Sequence, residues 1–386
     1  MTSHHDLLLR GGTLIDPSAG ESRKADIAVD GSTITAIAPA MDATAARVLD
    51  CEGAFVSPGL IDSHTHIFSE VSKVGAPVDE AHLRRGVVAA CDAGTAGAST
   101  FAAFKHHVAD ASRTRVLSFL NVSVLGLIDF RFGELLNPAT LVGEDAVAVA
   151  SAHPDIVRGL KIRLSTDVVG QQCLELLTKA VEVGEEARLP LMVHIGETAA
   201  PLKDILTLLR PGDVVAHCYT GKENNILEDG EVSDAVWDAR GRGVLFECAH
   251  GKSNFSFEVA RPAIEQGFLP DIVCSDTSYR NWNGPVFDLL TTMSKLVALG
   301  VPLEEVVRLA TVSPARTLGL WDEGFGRVEV GGAAHLSVFE LLEDEDQLPD
   351  AAGHSISARR LDARWTVLGG DPIAPLPWRG TVPSRS

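Results

Sequence analysis

The stretch Pro58-Gly59-Leu60-Ile61-Asp62-Ser63-His64-Thr65-His66-Ile67 places two histidines at the end of a short apolar run. In an extended strand, side chains two positions apart project from the same face. His64 and His66 are therefore predicted to project together from a strand end, as two ligands of one metal ion must. Because a chance His-x-His pair is common, this interpretation depends on which side chains the later strands carry.

From Val56 onward, apolar runs alternate with amphipathic segments such as Gln172–Ala187 and Ala199–Leu209. Eight strands alternating with helices are typical of a parallel (β/α)8 barrel, also called a TIM barrel. A doubly wound open sheet is the alternative, but no glycine-rich phosphate loop follows the first strand. The predicted strands are residues 56–66, 94–103, 115–125, 157–165, 190–197, 213–220, 244–250 and 271–277.

Both ends of the chain have a different pattern, made of short strands and turns. Near the N-terminus, alternating strands flank an Asp30-Gly31 turn, which is a hairpin signal. Short strands are predicted again at Gly326–Gly332, Leu336–Glu340 and Arg364–Leu368. Because a few strands rarely form a stable core alone, the two ends are predicted to pair into one small β-rich domain beside the barrel.

Composition excludes several classes of function. The 386-residue chain has a net charge of −19, which argues against nucleic-acid binding. Its six cysteines are scattered singly, as expected in a reducing cytosol. No apolar run is long enough to span a bilayer, and Met1–Asp6 lacks the features of a secretory signal. We therefore expect a cytoplasmic protein with a small-molecule substrate, no nucleic-acid or membrane partner, and a homo-oligomeric state.

Functional residues of a (β/α)8 barrel lie at the C-terminal ends of its strands. Taken singly, a residue there often has a structural explanation, such as a hydrogen-bonded histidine, a helix-capping aspartate or an ion-paired lysine. Several such residues at one rim are difficult to explain by packing, and they predict a metal site. The predicted strand ends carry His64, His66, Lys161, His194, His217 and Asp276.

Lys161 is the unusual member of this set, since an ammonium group cannot bind a metal cation. Burial favours the neutral amine, which can react with carbon dioxide to give a carbamate suited to bridging two metal ions. We expect the first two histidines and the aspartate to hold one divalent ion, and the two later histidines to hold the other. Zinc suits these ligands. A water between the ions would become hydroxide near neutral pH, with Asp276 as the catalytic acceptor of its proton.

These residues, in this order, resemble the amidohydrolase superfamily at its binuclear, carboxylated-lysine branch. The segments Leu8–Asp16 and Thr311–Leu320 extend the resemblance over essentially the whole chain. It implies hydrolysis of an amide or ester bond, and a β-sandwich assembled from both termini. One departure is His335 in the predicted sandwich, where the family usually has aspartate. The predicted domains are the N-terminal part of the sandwich (1–57), the barrel (58–325), the C-terminal part of the sandwich (326–370) and a C-terminal arm (371–386).

Three stretches resemble a dihydroorotase-like group of metal-dependent deacetylases: Gly159–Ser165, Ala249–Phe257 and Thr291–Lys295. The resemblance implies deacetylation of small N-acetyl amino acids or O-acetylated 2-hydroxy acids. A cyclic amidase of the hydantoinase, dihydropyrimidinase or dihydroorotase type is the enzymatic alternative. Dihydroorotases usually carry an arginine two residues beyond the second histidine, where this chain has Phe68. A catalytically silent scaffold is the non-enzyme alternative, although every ligand position is filled.

Four further residues are candidates for substrate contacts. Arg163 is predicted on the same strand face as the lysine, where it could bind a carboxylate bidentately or pair with an acid. Tyr219 follows a strand-end histidine and could donate to a polarised carbonyl, or be an ordinary rim aromatic. His250 ends the seventh predicted strand, and Asn283 belongs to a segment predicted to form part of the pocket wall.

Overall fold

The computed structural model describes residues 3–69 and 71–378. In chain order, its strands are β1 (Ser3–Asp16), β2 (Glu21–Asp30), β3 (Thr33–Ala38), β4 (Ala43–Asp50), β5 (Phe55–Pro58), β6 (Leu60–Thr65), β7 (Val87–Gly97), β8 (Arg115–Asn121), β9 (Val157–Arg163), β10 (Leu191–His194), β11 (Val214–Ala216), β12 (Leu227–Glu228), β13 (Glu231–Val232), β14 (Leu245–Ala249), β15 (Ile272–Cys274), β16 (Leu336–Pro349), β17 (Ser355–Leu368) and β18 (Asp371–Ile373).

The α-helices lie mainly between the strands of the central part of the chain. They are α1 (Val78–Ala81), α2 (Phe101–Phe104), α3 (Gly143–Ala152), α4 (Thr166–Val169), α5 (Cys173–Ala187), α6 (Leu202–Leu208), α7 (Asp234–Gly241), α8 (Phe257–Glu265), α9 (Leu289–Ala298), α10 (Leu303–Leu309) and α11 (Val312–Thr317). Among the described residues, no helix combines the length and apolar character needed to cross a membrane.

Strands β6 to β11, β14 and β15 form one parallel sheet in which each strand pairs with the next along the chain. The sheet closes because the residues after β15 return to β6. Thr65 forms a parallel bridge with Thr277, and the backbone N–H of Asp276 donates to the carbonyl oxygen of His64. The predicted (β/α)8 barrel is therefore confirmed.

Barrel strands are apolar along their whole length because both of their faces are covered. On β9, Leu160 and Ile162 are fully buried in the main hydrophobic cluster. Gly159 alternates with them, and a Cβ there would lie 2.1 Å from the ring of Phe119 inside the barrel. Since alternate residues share a face, Lys161 also projects inward, one step nearer the C-terminal rim.

The second large sheet is built from both ends of the chain, in the order β18-β17-β16-β5-β1-β2-β3, with β4 beside β1. Strand β5 joins the two ends, because Val56 pairs with Leu14 of β1 and with Val338 of β16. The predicted β-rich unit formed from both termini is therefore confirmed. It lies beside the barrel because β5 runs almost directly into β6.

Two predicted strands differ from the structure. The strand predicted at 94–103 is β7 at Val87–Gly97, and residues 101–104 form α2 instead. Asp92 precedes the predicted strand but is buried within β7, where it accepts hydrogen bonds from the backbone N–H groups of Ile67 and Thr95. Residues 326–332 lie in bends, a turn and an irregular segment, since the left-handed φ angles of Gly326 (+80°) and Gly331 (+90°) interrupt an extended path.

The predicted C-terminal arm includes β18, which pairs with β17. Beyond β18, the indole N–H of Trp378 donates to Thr291 Oγ1 at 3.1 Å, and the Arg360 guanidinium lies 3.8 Å from the centre of the indole ring. This part of the chain is therefore anchored on α9 and β17. The remaining residues of the predicted arm, 379–386, lie outside the described residues.

Candidate metal centre

A cavity of about 500 Å³ lies at the C-terminal ends of the barrel strands. His217 is buried behind it, with Nε2 2.8 Å from Nδ1 of His194. The structure thus brings all six predicted ligand residues to one place. The other five line the cavity directly: His64, His66, Lys161, His194 and Asp276.

Three of the histidines are held through Nδ1 by a partner beside the cavity. Because a carbonyl oxygen can only accept, Nδ1 of His217 carries the proton and its Nε2 keeps a lone pair. An imidazole oriented in this way is a typical metal ligand. The partners are the Glu247 carboxylate for His64, Thr95 Oγ1 at 2.7 Å for His66, and the Ala249 carbonyl at 2.8 Å for His217.

Burial favours the neutral form of His64, His194 and His217, as metal binding requires. It lowers the pKa of His217 to about 3, although the nearby Asp276 acts in the opposite direction. Burial likewise holds the pKa of His64 and the pKa of His194 well below their usual values, with Lys161 contributing to both shifts. The site therefore offers neutral nitrogen donors across the neutral pH range.

Asp276 lies where the imidazoles converge. Its Oδ1 is 3.2 Å from Nε2 of His66 and 3.7 Å from Nε2 of His64. Burial would raise the pKa of Asp276, but the neighbouring imidazoles reverse that effect and hold its pKa well below the usual range. The group His64, His217 and Asp276 brings one donor atom from each residue within 4.8 Å of the others. An ionised carboxylate among neutral imidazoles is a suitable ligand set for a divalent cation.

The carboxylate of Asp276 is also confined by the backbone. A Cβ at Gly251 would lie 2.2 Å from Asp276 Oδ2, so any larger residue would displace the carboxylate. Asp276 itself has a left-handed φ of 52°. Such a conformation is costly for aspartate and persists only where the surroundings determine it, as at a functional site.

Lys161 places a buried amine within the site. Its side chain is 1% exposed, and Nζ has no hydrogen-bond partner among the described residues. Burial lowers the pKa of Lys161 to about 8, although Glu247 and Asp276 act in the opposite direction. The methylene chain of Lys161 packs closely against Gly94, where an added Cβ would lie 2.5 Å from Lys161 Cγ. A buried amine without an acceptor is costly, which indicates that a further group completes this site.

His194 has a similar unsatisfied atom, because Nε2 of this buried side chain also lacks a partner among the described residues. Orphaned nitrogen atoms, neutral imidazoles and an ionised carboxylate around one cavity fit a divalent metal ion. Amidohydrolases, which this chain resembles, are metal-dependent in general, in agreement with this donor set.

Glu247 is the site residue that the sequence interpretation missed. It is fully buried in β14, hydrogen-bonded to His64, and its Oε2 has no partner among the described residues. Burial raises the pKa of Glu247 to about 7, opposed by Lys161 and His217. The available signal was a charged residue inside an otherwise apolar strand, since glutamate is rarely buried unless it is paired.

Arg163 lines the cavity, as predicted from its strand face. Its Nη1 lies 3.1 Å from both carboxylate oxygens of Glu134, and the two side chains are only 11% and 4% exposed. Its guanidinium carbon is also 5.0 Å from the centre of the Phe130 ring. The positive charge of Arg163 is therefore already compensated by a buried acid.

The other three predicted substrate contacts lie outside the described cavity lining. Tyr219 is fully buried and donates its hydroxyl to the carbonyl oxygen of Phe268 at 2.7 Å. His250 is fully buried, with Nε2 2.8 Å from Nζ of Lys295. Asn283 is exposed at the surface. The described lining of the cavity therefore does not include these three residues, and Arg280 and Asn281 line it instead of Asn283.

A model of the amidohydrolase family matches residues 55–357. Curated deacetylases of Agrobacterium fabrum (Atu3266) and Enterococcus faecalis are 34% and 32% identical to this chain. These alignments span 90% and 95% of this chain, and 86% and 98% of the two relatives.

Two solved structures resemble the chain over nearly its whole length. A dihydroorotase structure has a TM-score of 0.89 and 31% identity, covering 96% of this chain and 99% of its own. An adenine deaminase structure has a TM-score of 0.87 and 32% identity, covering 96% of this chain and 100% of its own. Because relatives of nearly equal similarity bear three different activity names, overall similarity defines the family and the hydrolytic chemistry. The identity of the substrate depends on the residues that line the cavity.

Proposed function

We propose that this chain, which belongs to the amidohydrolase family, is a metal-dependent deacetylase of small acids. Its substrates would be N-acetyl amino acids or O-acetylated 2-hydroxy acids. The observation that carries the proposal is the orphaned amine of Lys161 among neutral imidazoles and an ionised carboxylate. A cavity of about 500 Å³ suits a ligand of this size. The two curated deacetylases support the choice of an acetyl group.

We propose that the site holds two divalent ions, preferably zinc, with Lys161 carboxylated between them. His64, His66 and Asp276 would bind one ion, and His194 and His217 the other. When bound, such ions polarise an acyl carbonyl and lower the pKa of a water molecule. Elemental analysis of protein produced with ample zinc should approach two equivalents per chain. A single tightly bound equivalent, unchanged by supplementation, would contradict the paired site.

Asp276 provides the proton transfer that hydrolysis needs. Water adds to the acetyl carbon, and the bond from that carbon to the leaving nitrogen or oxygen breaks. The ionised Asp276 accepts a proton from the attacking water and returns it to the leaving atom, giving acetate and a free amino or hydroxy acid. Glu247 and Thr95 hold His64 and His66 in the orientation that this arrangement requires.

A cyclic amidase is the alternative, and the position of Phe68 argues against its dihydroorotase form. The resemblance places a substrate-binding arginine at this position in dihydroorotases. In this chain Phe68 is 1% exposed and packs edge-to-face against Phe104, with 5.4 Å between the ring centres. It therefore supplies neither a cation nor a surface to a substrate carboxylate.

The test is a screen of the metal-loaded enzyme against N-acetyl D- and L-amino acids, O-acetylated 2-hydroxy acids, dihydroorotate, hydantoin and dihydrouracil. We expect acetate release from one of the first two classes. Turnover of a cyclic substrate without acetate release would instead support the cyclic amidase. Full metal content with no turnover of any compound would support the silent scaffold.

We also propose a cytoplasmic homo-oligomer. The six cysteines are free and buried, as suits a reducing compartment. Leu125, Phe132 and Leu136 are 46%, 71% and 51% exposed on the segment after β8, which supports a contact between copies. Light scattering should give a mass above that of one chain, and Phe132→Ser should lower it. Cell fractionation tests the compartment.

A further inference from the structure

The mouth of the cavity is rich in cations, although the chain carries a net charge of −19. One exposed acid, Asp167, is also part of the lining. A concentration of positive charge around a cavity attracts anionic ligands. The four cations of the mouth, apart from the buried Lys161, are Arg163, Lys222, Lys252 and Arg280.

Two of these cations already have a carboxylate partner. Arg163 pairs with Glu134, as described above. Lys222 lies 2.8 Å from a carboxylate oxygen of Glu197. Both contacts with Glu134 use Nη1 of Arg163, so a substrate carboxylate at the remaining N–H groups would meet a cation whose charge the buried Glu134 already offsets.

Arg280 and Lys252 are exposed, and neither has a carboxylate partner among the described residues. The guanidinium carbon of Arg280 lies 4.9 Å from the centre of the Phe130 ring, which also contacts Arg163. Stacking of this kind restrains a guanidinium while its N–H groups remain available in the plane of the group. Arg280 is therefore a restrained cation whose charge is not compensated.

The backbone ties Arg280 to the catalytic carboxylate. In the turn that carries Arg280, the side chain of Asn281 accepts from the backbone N–H of Ser278 and donates to the carbonyl oxygen of Asp276, both at 2.8 Å. Lys252 belongs to the turn after β14, which is the neighbour of β15 in the barrel. The two uncompensated cations thus come from adjacent loops on the rim that carries Asp276.

We propose that Arg280, assisted by Lys252, binds the carboxylate of the leaving half of the substrate. Arg163 is a positioning residue, which holds Phe130 under Arg280 and is itself held by Glu134. This inference rests on the proposed function, and it replaces Arg163 by Arg280 as the cation that recognises the acid. A guanidinium can meet a carboxylate with two parallel hydrogen bonds, which orients the acyl group as well as binding it.

The test uses the most active acetylated acid from the screen above and its N-methylamide, which keeps the shape and removes the charge. The metal-loaded wild type is compared with Arg280→Gln, Arg280→Lys, Lys252→Gln and Arg163→Gln. The matched control is Arg131→Gln, since Arg131 pairs with Asp129 on the same segment as Phe130 but lies outside the cavity lining.

We expect the wild type to prefer the acid, and Arg280→Gln to lower kcat/KM for the acid by about 10- to 100-fold. The loss should appear mainly in KM, because the charge contact is made before and during the reaction. The N-methylamide should be hydrolysed equally by the wild type and Arg280→Gln. Arg280→Lys should recover part of the preference, Lys252→Gln should lose less than Arg280→Gln, and Arg131→Gln should match the wild type.

Three results would overturn this assignment. Equal kcat/KM for the acid and its N-methylamide in the wild type would show that no carboxylate is recognised. A preference that survives in Arg280→Gln but disappears selectively in Arg163→Gln would return recognition to Arg163. Both results leave the deacetylase proposal intact. If the screen finds no acetylated acid that is hydrolysed, the proposed function fails and this inference fails with it.

Discussion

The buried carboxylate of Glu247 hydrogen-bonds Nδ1 of His64 although the two residues are 183 positions apart in the chain. The contact joins β14 to the end of β6 inside the barrel, and it directs Nε2 of His64 toward Asp276. A carboxylate behind a ligating imidazole fixes the orientation of the ring and raises its basicity.

For Glu247→Gln, we expect metal affinity to fall by about 10- to 100-fold, because glutamine keeps the shape but removes the charge behind His64. Retained metal should be measured after timed exposure to a chelator. Glu186→Gln on the exposed face of α5 is the control and should behave like the wild type. Equal retention in Glu247→Gln would show that the contact is only structural.

For Lys161→Ala, we expect loss of the proposed metal pair and of activity, since the carboxylated amine would be the ligand shared by the two ions. Formate, acetate or propionate should restore part of both, because a free carboxylate can occupy the vacated volume. Metal analysis and turnover with each acid provide the measurement. Lys179→Ala, which removes a lysine on α5 whose side chain is 47% exposed, should change neither. Full activity in Lys161→Ala would exclude a bridging role.

For Asp276→Asn, we expect kcat to fall by about 10²- to 10⁴-fold while the fold is preserved. Asparagine has the same shape but cannot accept the proton of the attacking water. Steady-state kinetics and circular dichroism should be recorded on the same samples at matched metal content. A loss of less than about tenfold would assign the proton transfer to another residue.

For Lys295, we expect a pH-dependent contribution to stability. Burial lowers its pKa to about 7, whereas an unfolded lysine has a pKa of about 10.4. Between these values the unfolded chain binds a proton that the folded chain does not, so the free energy of unfolding rises with pH. Below about pH 7 both states are protonated and the full penalty applies.

Lys295→Met should remove this slope. Urea unfolding at pH 7, 8, 9 and 10 should show wild-type stability rising relative to Lys295→Met by about 1 kcal/mol per pH unit. The buried cysteines occur in both proteins, so the comparison largely cancels their contribution. Parallel curves for the two proteins would mean that Lys295 keeps an ordinary pKa in the folded chain.

The sequence alone determined the barrel, the sheet formed by both termini and the residues offered as metal ligands. These features follow local rules: a two-residue period along strands, apolar runs where both faces are covered, and functional groups at strand ends. His64 and His66 illustrate the rule, since they are two residues apart and both approach Asp276 Oδ1.

Only the tertiary structure decided which polar residues face the cavity and which cations remain uncompensated. Tyr219 was a candidate substrate contact because it follows the strand-end His217, but the left-handed φ of 68° at His217 ends the extended path of the strand. The tyrosine hydroxyl then reaches Phe268 instead of the cavity. Local periodicity cannot predict such a reversal.

The sequence also does not reveal which charged residues form ion pairs across the fold. Glu134 compensates Arg163 from 29 positions away, and no such acid reaches Arg280 among the described residues. A charge is cancelled by whichever opposite charge the fold brings within a few ångströms, and sequence distance does not set that separation. The candidate metal ligands could therefore be proposed from strand ends, whereas the proposal of Arg280 over Arg163 for the substrate required the folded chain.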